Sequence, residues 1–415
     1  MSPVPGIGAT LTKNDRSIAA FTMLGHGLFH WFEMAIPILL VMWIRQFPAS
    51  VELVGLLVAI GFAPIGIASL PGGLLADRFG SESVLLLSIA GMAVGFATLS
   101  LAPSVYFVGL SLAIWGTFAG IYHPAGMSLI STGTERRGTI FAYHGMAGNI
   151  GTALGPFVAA TLLLFVDWRV VAGALALPGL VAFLFGLSID FNPTAAVGET
   201  DEPEKGTAAP AKLHEKAREL LYSFFPLVLA IVTFDGLFYR GILTYLPQIL
   251  RDLPEITALT LEASLVGINV GDYIFVGLLI VGIGGQWAGG KFSERFAVEK
   301  GLAGGFLSLG LFALLFLPIA AFGFAQVLVV SVLLGFFLFF VQPLYQVAVA
   351  IHTPVETRGL SYGVTYLGEF GIGAGSIAIG GYLLGTYSIG TFFLVLSGFA
   401  FVPVLLAVLL YTIAR

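Results

Sequence analysis

The sequence predicts an all-α membrane protein with twelve transmembrane helices in two pseudo-symmetric six-helix bundles. Three observations predict it. Only 10% of the 415 residues are charged and 58% are hydrophobic, with a mean hydropathy of +0.98, whereas soluble domains carry about 25% charged residues. Apolar runs of about twenty residues, the length that crosses a bilayer core, recur along the whole chain. They are far longer than the ~10-residue alternating strands of a membrane barrel, and backbone in lipid must satisfy itself as a helix or a closed barrel. Finally, short polar stretches recur at matching places in the two halves.

The spans follow in order. The first sixteen residues are polar with no cleavable signal pattern, so the first apolar run, 17–44, reads as a retained span. It contains "HGLFHWFEMAIP" (His26 to Pro37). The second, 52–76, ends in "GGLLADRFG" (Gly72 to Gly80), and the third is 83–102. The link from Ala102 to Ser104 is too short for anything but an antiparallel fourth span, 104–131. Pro124 removes one helical donor there, so a kink is expected a turn earlier. The fifth and sixth are 138–166 and 168–189, and the second set runs 219–249, 264–289, 301–321, 324–351, 360–386 and 388–412.

The polar stretch between the sets divides the chain into an N-terminal bundle (1–189), a linker (190–218) and a C-terminal bundle (219–415). Pro, Gly, Ala and charge make the first part of the linker read as disordered. "KLHEKAREL" reads as a short surface helix. Basic residues orient the whole. With the N-terminus in the cytoplasm, Lys13, Arg16, Arg78, Arg136, Arg137, Lys205, Lys212, Lys216, Arg218, Lys291, Arg295, Lys300, Arg358 and Arg415 lie inside. Only Arg45, Arg169 and Arg251 lie outside, and Arg240 falls within a span. A multi-pass protein of the cell membrane with both termini cytoplasmic is expected.

The internal repeat is legible in three places. "HGLFHWFEMAIP" answers to "DGLFYRGILTYLP" from Asp235; "GGLLADRFG" answers to "GQWAGGKF" (Gly285 to Phe292); "YHP" with "ERRG" answers to "VQP" with "ETRG". Duplicated halves around a midplane site are a recurring secondary-transporter plan. On these residues the sequence resembles the major facilitator superfamily over essentially its whole length. Gly73, Asp77, Arg78 and Gly80 match that superfamily's loop motif after its second helix. The motif departs at Ser81-Glu82, and the second copy keeps Lys291 but has Gly290 for the acid. Within the superfamily the chain is similar to fosmidomycin-resistance-type exporters, through Gly25-His26 with Pro37, Tyr122-His123-Pro124, Arg136-Arg137-Gly138 and "GNIGTALGP" (Gly148 to Pro156). His30 stands where that branch typically has Asp.

Polar groups inside spans are costly and mark function by default. His26, His30 and Glu33 stand at i, i+4 and i+7, within about a 60° arc of one helix face. Three readings stay open for them: packing hydrogen bonds, proton coupling, and metal ligation. In span seven, Asp235 stands opposite His26 by the repeat, and Arg240 lies about 140° round the helix from it. An Arg240–Asp272 pair is one expectation, and Arg240 binding an anionic substrate group is the other. Glu369 occupies the place of Gly148 in span eleven. His123, Tyr239 and Gln342 complete the cavity set, and Trp31 is the aromatic expected to touch substrate. His144 is expected to bond a neighbour, and His214 and His352 to be solvated. Gly148, Gly151 and Gly155, with Pro156, form a small-residue face suited to close helix approach. The resemblance implies that Gly73, Asp77, Arg78, Gly80 and Lys291 form an inner gate.

The absence of cysteine excludes disulfides, thiolate metal sites and cysteine nucleophiles. There is no GxxxxGK[ST] phosphate loop, so an ion gradient is the expected driving force. The expectation is a secondary transporter working by alternating access, a proton-coupled exporter of a small organic molecule with Glu33 and His30 as coupling pair. Asp235 and Glu369 stand behind them. The rivals are proton-coupled uptake of an organic anion, an intramembrane metalloenzyme using His26, His30 and Glu33, and a non-transporting receptor. The partners expected are a small-molecule substrate, protons and the lipid bilayer, not nucleic acid, for a monomer. No enzyme activity, cofactor or resident metal is expected.

Overall fold

The computed structural model describes residues 11–196, 218–257, 269–293, 295–353 and 358–414. The described residues are helical throughout their long elements. In the first half α1 is Lys13–Gln46, α2 Val51–Phe79, α3 Ser81–Leu99, α4 Val105–Gly120, α5 Tyr122–Gly133, α6 Arg137–Leu162 and α7 Trp168–Ser188. In the second α8 is Phe225–Asp252, α9 Val270–Ser293, α10 Val298–Ala320, α11 Phe324–His352, α12 Arg358–Tyr366, α13 Gly375–Thr386 and α14 Ile389–Ile413. A π-helical segment, Leu367–Ile372, joins α12 to α13.

Eleven segments among the described residues are long and apolar enough to cross a membrane, α4 with α5 and α12 with α13 each counting as one. The twelfth span is α6, 26 residues long, whose glycines, His144 and Asn149 dilute its apolar character. It packs along α1, so it needs less lipid-facing surface. Large apolar side chains such as Ile67, Val181 and Leu405 stand exposed on the outer helix faces, as a lipid solvent requires.

Local chemistry sets the helix ends. Thr12 and Asp15 form a capping box at the start of α1, each side chain bonding the other's backbone N–H at 3.0 and 3.2 Å. Gly80 closes α2 at φ +85, a conformation that side chains with a Cβ rarely adopt. The kink expected near Pro124 is a break. α4 ends at Gly120, whose carbonyl has no proline N–H to receive, and α5 restarts at Tyr122.

The same pairings recur in both halves. α1 lies on α6, α2 on α4, and α3 on α4 and α7; correspondingly α8 lies on the π segment and α13, α9 on α11, and α10 on α11 and α14. Across the seam α2 packs on α13 and the π segment, and α6 on α9, in twofold-related fashion. The start of α1 and the end of α14 lie at one end of the molecule, here the near side, and the short turns after α1, α3 and α6 mark the far side.

On the far side the halves meet closely. Arg45 reaches Asp252 at 3.6 Å, the Thr386 hydroxyl donates to Glu52 Oε1 at 3.4 Å, and the Thr161 and Tyr273 hydroxyls lie 3.4 Å apart. The Arg45 and Asp252 side chains are 50% and 47% exposed, so solvent screens them. Arg45→Ala is expected to change stability by about 0.2–1 kcal/mol at most, read as a near-unchanged thermal midpoint in detergent.

Three expectations change here. Asp272 does not pair with Arg240. Arg251 holds it, with Nε donating to Oδ1 at 2.7 Å and the second guanidinium nitrogen to Oδ2. Arg251 follows Arg240 by eleven residues, about three helical turns, so both share an azimuth but sit at different depths. His352 is not fully solvated, because it is half-buried against the buried Glu299, Nε2 to Oε1 2.6 Å. The first linker residues are ordered against the near side. Thr132 donates to the Pro193 carbonyl at 2.7 Å, and Asn14 bonds Asn192 in both directions. Residues 197–217, with His214 and most of "KLHEKAREL", lie outside the described residues.

Candidate functional site

The charged centre of the molecule sits on the seam. Glu33 of α1 is 0% exposed and accepts a hydrogen bond on Oε1 from the Arg240 guanidinium of α8, itself 4% exposed. Glu33 Oε2 accepts from His30 Nδ1 at 2.7 Å. Both carboxylate oxygens are therefore engaged, one by each half of the chain. The guanidinium also lies over three rings, with Cζ 4.3 Å from Phe370, 5.2 Å from Tyr239 and 5.4 Å from Phe62. Phe370 and Tyr239 belong to the second half and Phe62 to the first, so Arg240 is boxed by aromatic faces from both sides. Breaking one member of such a pair strands a charge in a low-dielectric site, which costs about 3–5 kcal/mol.

Four histidines gather in the first half, next to this pair. His26 stacks on His144 with ring centroids 3.8 Å apart, and its Nδ1 lies 2.7 Å from the His144 carbonyl oxygen. A carbonyl only accepts, so that nitrogen carries the proton. His26 Nε2 lies 3.3 Å from His123 Nε2. The α4–α5 break brings His123 there, by turning Tyr122 and His123 toward α1. The Tyr122 hydroxyl donates to the Thr22 carbonyl at 2.5 Å and lies 3.3 Å from His144 Nε2.

The second half holds two buried acids. Gln342 Nε2 donates to Asp235 Oδ2 at 3.1 Å, and the Tyr345 hydroxyl donates to Gln342 Oε1 at 3.0 Å. Glu369 lies beside Tyr345 and within electrostatic reach of both Arg240 and Asp235. Asp235 Oδ1 and Glu369 Oε2 have no hydrogen-bond partner among the described residues. Glu369 sits in the π segment, the kind of local irregularity that recurs at functional sites, and its backbone packs directly on Gly236 of α8. The 140° offset between Asp235 and Arg240 therefore separates two tasks. Arg240 reaches across the seam, and Asp235 stays within its own half.

The glycine face of α6 lies on α1. A Cβ on Gly148 would press on the His26 ring, one on Gly151 would collide with the Gly27 carbonyl oxygen, and one on Gly155 with the Trp31 carbonyl. Pro156 follows within the same helix. Backbone cannot yield as a flexible side chain does. Gly151→Ala is expected to cost about 1–3 kcal/mol, read as a lowered thermal midpoint and poor recovery of folded protein, with Gly145→Ala, which has open space around it, as the silent control.

Other expected site residues are placed elsewhere. The Trp31 indole N–H donates to the Leu175 carbonyl of α7 at 3.1 Å, so it ties α1 to α7 instead of joining the cluster. Gly73 lies near Pro124, Arg78 is exposed with Cζ 5.2 Å from the Phe79 ring, and Lys291 is exposed near the end of α9. The Asp77 side chain, like those of Arg137 and Arg358, lies outside what is described. Sequence reasoning missed Tyr345, Tyr366 and Phe370. Tyr345 stands at i+3 from Gln342 and Tyr366 at i−3 from Glu369, a spacing that puts each beside its polar neighbour.

With this geometry in view, the comparisons with known proteins are consistent. The family model described as Major Facilitator Superfamily matches residues 22–376. Among curated relatives, the uncharacterized MFS-type transporter YqjV of Bacillus subtilis (strain 168) is 31% identical over 30% of this chain and 31% of its own length. The tetracenomycin C resistance and export protein of Streptomyces glaucescens is 28% identical over 30% of this chain and 24% of its own. The multidrug resistance protein MdtH of Salmonella paratyphi C (strain RKS4594) is 26% identical over 37% of this chain and 39% of its own. The matched segments thus span less than half of each relative. Two solved structures share the fold: the nucleoside transporter NupG, with TM-score 0.76 and 13% identity over 96% of this chain and 100% of that one, and the inward open xylose transporter XylE from E. coli, with TM-score 0.73 and 16% identity over 97% and 96%. The duplicated bundles, the seam between them and a family match over most of the sequence place this chain in the Major Facilitator Superfamily.

Proposed function

We propose that this protein is a proton-coupled exporter of a small organic molecule, acting by alternating access in the cell membrane with both termini cytoplasmic. The N-terminal bundle (1–189) and the C-terminal bundle (219–415) are the moving units, and 190–218 is their tether. The motif residues Gly73, Asp77, Arg78, Gly80 and Lys291 serve the inner gate. The observation that carries the reading is the buried Glu33–Arg240 pair across the seam, with the incompletely satisfied Glu369 beside it.

The chemistry is a competition for one cation. In the state described, Arg240 binds Glu33 and the far side is closed. A neutral, protonated Glu369 leaves Glu33 as the guanidinium's main anionic partner, and the two bundles stay joined. Once Glu369 releases its proton toward the cytoplasm, its carboxylate competes for Arg240 from within the second bundle. His30 continues to satisfy Glu33 on the other oxygen, so the seam can part toward the far side with cargo. Reprotonation of Glu369 from outside returns Arg240 to Glu33 and closes the far side. Each cycle moves a proton in and cargo out. Proton coupling thus rests on Glu369 with Asp235, and Glu33 with His30 serves as the lock.

Export is supported by relatives named for resistance and export. The fosmidomycin-resistance-type branch rests on the four motifs in spans one, four and five alone. Uptake of an organic anion is the second reading, favoured by Arg240, whose charge would meet an anionic group once Glu33 lets go. The test is transport in proteoliposomes over a compound panel, with and without an imposed pH gradient. Export predicts that an acidic outer compartment drives cargo outward. Cargo moving with the proton identifies the symport, and flux indifferent to the gradient ends the proton-coupled account.

A further inference from the structure

We propose that His26, His30 and His123 form a binding site for a borderline divalent transition-metal cation of the zinc class. One ring nitrogen from each of the three lies within 4.8 Å of the others. This set differs from the rival metal reading of the sequence, His26, His30 and Glu33, in its third member. Both oxygens of Glu33 are taken, by His30 and Arg240, and His123 arrives instead from the start of α5.

Three features make this a built site. The ring nitrogens are presented by the protein: His26 Nδ1 donates to the His144 carbonyl and His30 Nδ1 donates to Glu33, each at 2.7 Å. In the neutral rings this leaves the lone pair on Nε2 in both cases. A metal-ligating histidine almost always anchors its other nitrogen on a carbonyl or carboxylate, and here one has each kind. Second, the 3.3 Å separation of His26 Nε2 and His123 Nε2 matches the ~3.3–3.4 Å edge of a tetrahedron built on Zn–N bonds of about 2.0–2.1 Å. To bind, His123 gives up the proton it shares with His26, and the widest-spaced of the three nitrogens, up to 4.8 Å apart, close in by side-chain rotation to the ~3.3–3.4 Å tetrahedral edge. Third, the i, i+4 spacing of His26 and His30 puts two ligands on one face of α1, and the His30 side chain is 20% exposed, which supplies an entry path. Three protein ligands leave the fourth position for water or another small donor. The rings of Phe29, Tyr366 and Phe370 lie beside His123 and shield the site from bulk solvent.

The chain has no cysteine to compete for the ion. Untagged, detergent-purified protein titrated with Co²⁺ is expected to bind one equivalent per chain, with the intense visible d–d bands of a four-coordinate ion, and Zn²⁺ is expected to displace it. His123→Gln and His30→Gln are each expected to weaken binding at least tenfold. Glu33→Gln, which leaves the three rings in place but removes the carboxylate anchor of His30 along with the partner of Arg240, is expected to weaken it about 10–100-fold. X-ray absorption on the unmodified protein loaded with Zn²⁺ is expected to show imidazole scattering from three rings, a readout that needs no variant to fold. The proposal is overturned if Co²⁺ keeps the weak spectrum of its hydrated form, if absorption shows no imidazole shell, or if well-folded His123→Gln protein binds as tightly as the parent.

Discussion

Arg240→Leu is expected to destabilise the protein by about 3–5 kcal/mol, the largest single effect in the membrane-embedded core. The cause is what remains behind. Glu33 is fully buried, and without the guanidinium its Oε1 faces hydrocarbon and aromatic faces. His30 satisfies only the other oxygen. The double variant Glu33→Leu with Arg240→Leu is expected to recover most of that loss, because replacing both members of a buried pair by apolar groups is often neutral or favourable. Thermal unfolding in detergent of these two variants and of the Glu33→Leu single variant yields the coupling energy as a double-mutant cycle. Transport separates from stability here. The double variant folds but has no lock to exchange, so gradient-driven flux is expected to be lost in both. Arg240→Lys keeps the charge and loses the flat guanidinium that packs among the Phe370, Tyr239 and Phe62 rings. It is expected to fall between the parent and Arg240→Leu.

Glu369→Gln is expected to abolish proton-driven transport while leaving the fold intact. The amide mimics the neutral acid in size and shape, retains a group for Tyr345 to meet, and cannot release a proton. Arg240 then has no competing carboxylate in its own bundle and stays on Glu33. Cargo binding from the cytoplasmic side is expected to persist, measured by ligand-induced thermal shift, with gradient-driven flux reduced to background. Asp235→Asn is the informative neighbour. It removes the buried acid that is electrostatically coupled to Glu369 but leaves Glu369 able to titrate. The expected result is a displaced pH profile with transport retained. Loss of binding in Glu369→Gln would instead make that residue a substrate ligand.

Much of the fold was legible because lipid imposes one rule on backbone. Among the described residues each expected span corresponds to a helix or helix pair, with ends that shift by a few residues, as at Thr12 and Gly80 where caps decide them. The site was half legible. His26, His30 and Glu33 share a face of α1, as their spacing says, and the glycines of α6 meet a neighbouring helix. Which neighbour each polar group meets is set by helix rotation and depth, and periodicity carries only rotation. Arg240 and Arg251 show the difference: the same face, three turns apart, and different partners. His123 was hidden for another reason. Its approach to α1 depends on the α4–α5 break, whose direction a proline does not encode. The π segment that widens the turn around Glu369 had no sequence signature beyond its glycines.

The central claim is that proton release from Glu369 frees the seam to open on the far side. The chain lacks cysteine, so spin labels at Ala49→Cys and Tyr387→Cys report one distance across that side, readable by pulsed electron resonance in nanodiscs. The account predicts a single short distance at acid pH and at every pH in Glu369→Gln, and a growing longer component on raising the pH or on introducing Glu33→Gln. One unchanging distribution across all four conditions would contradict it.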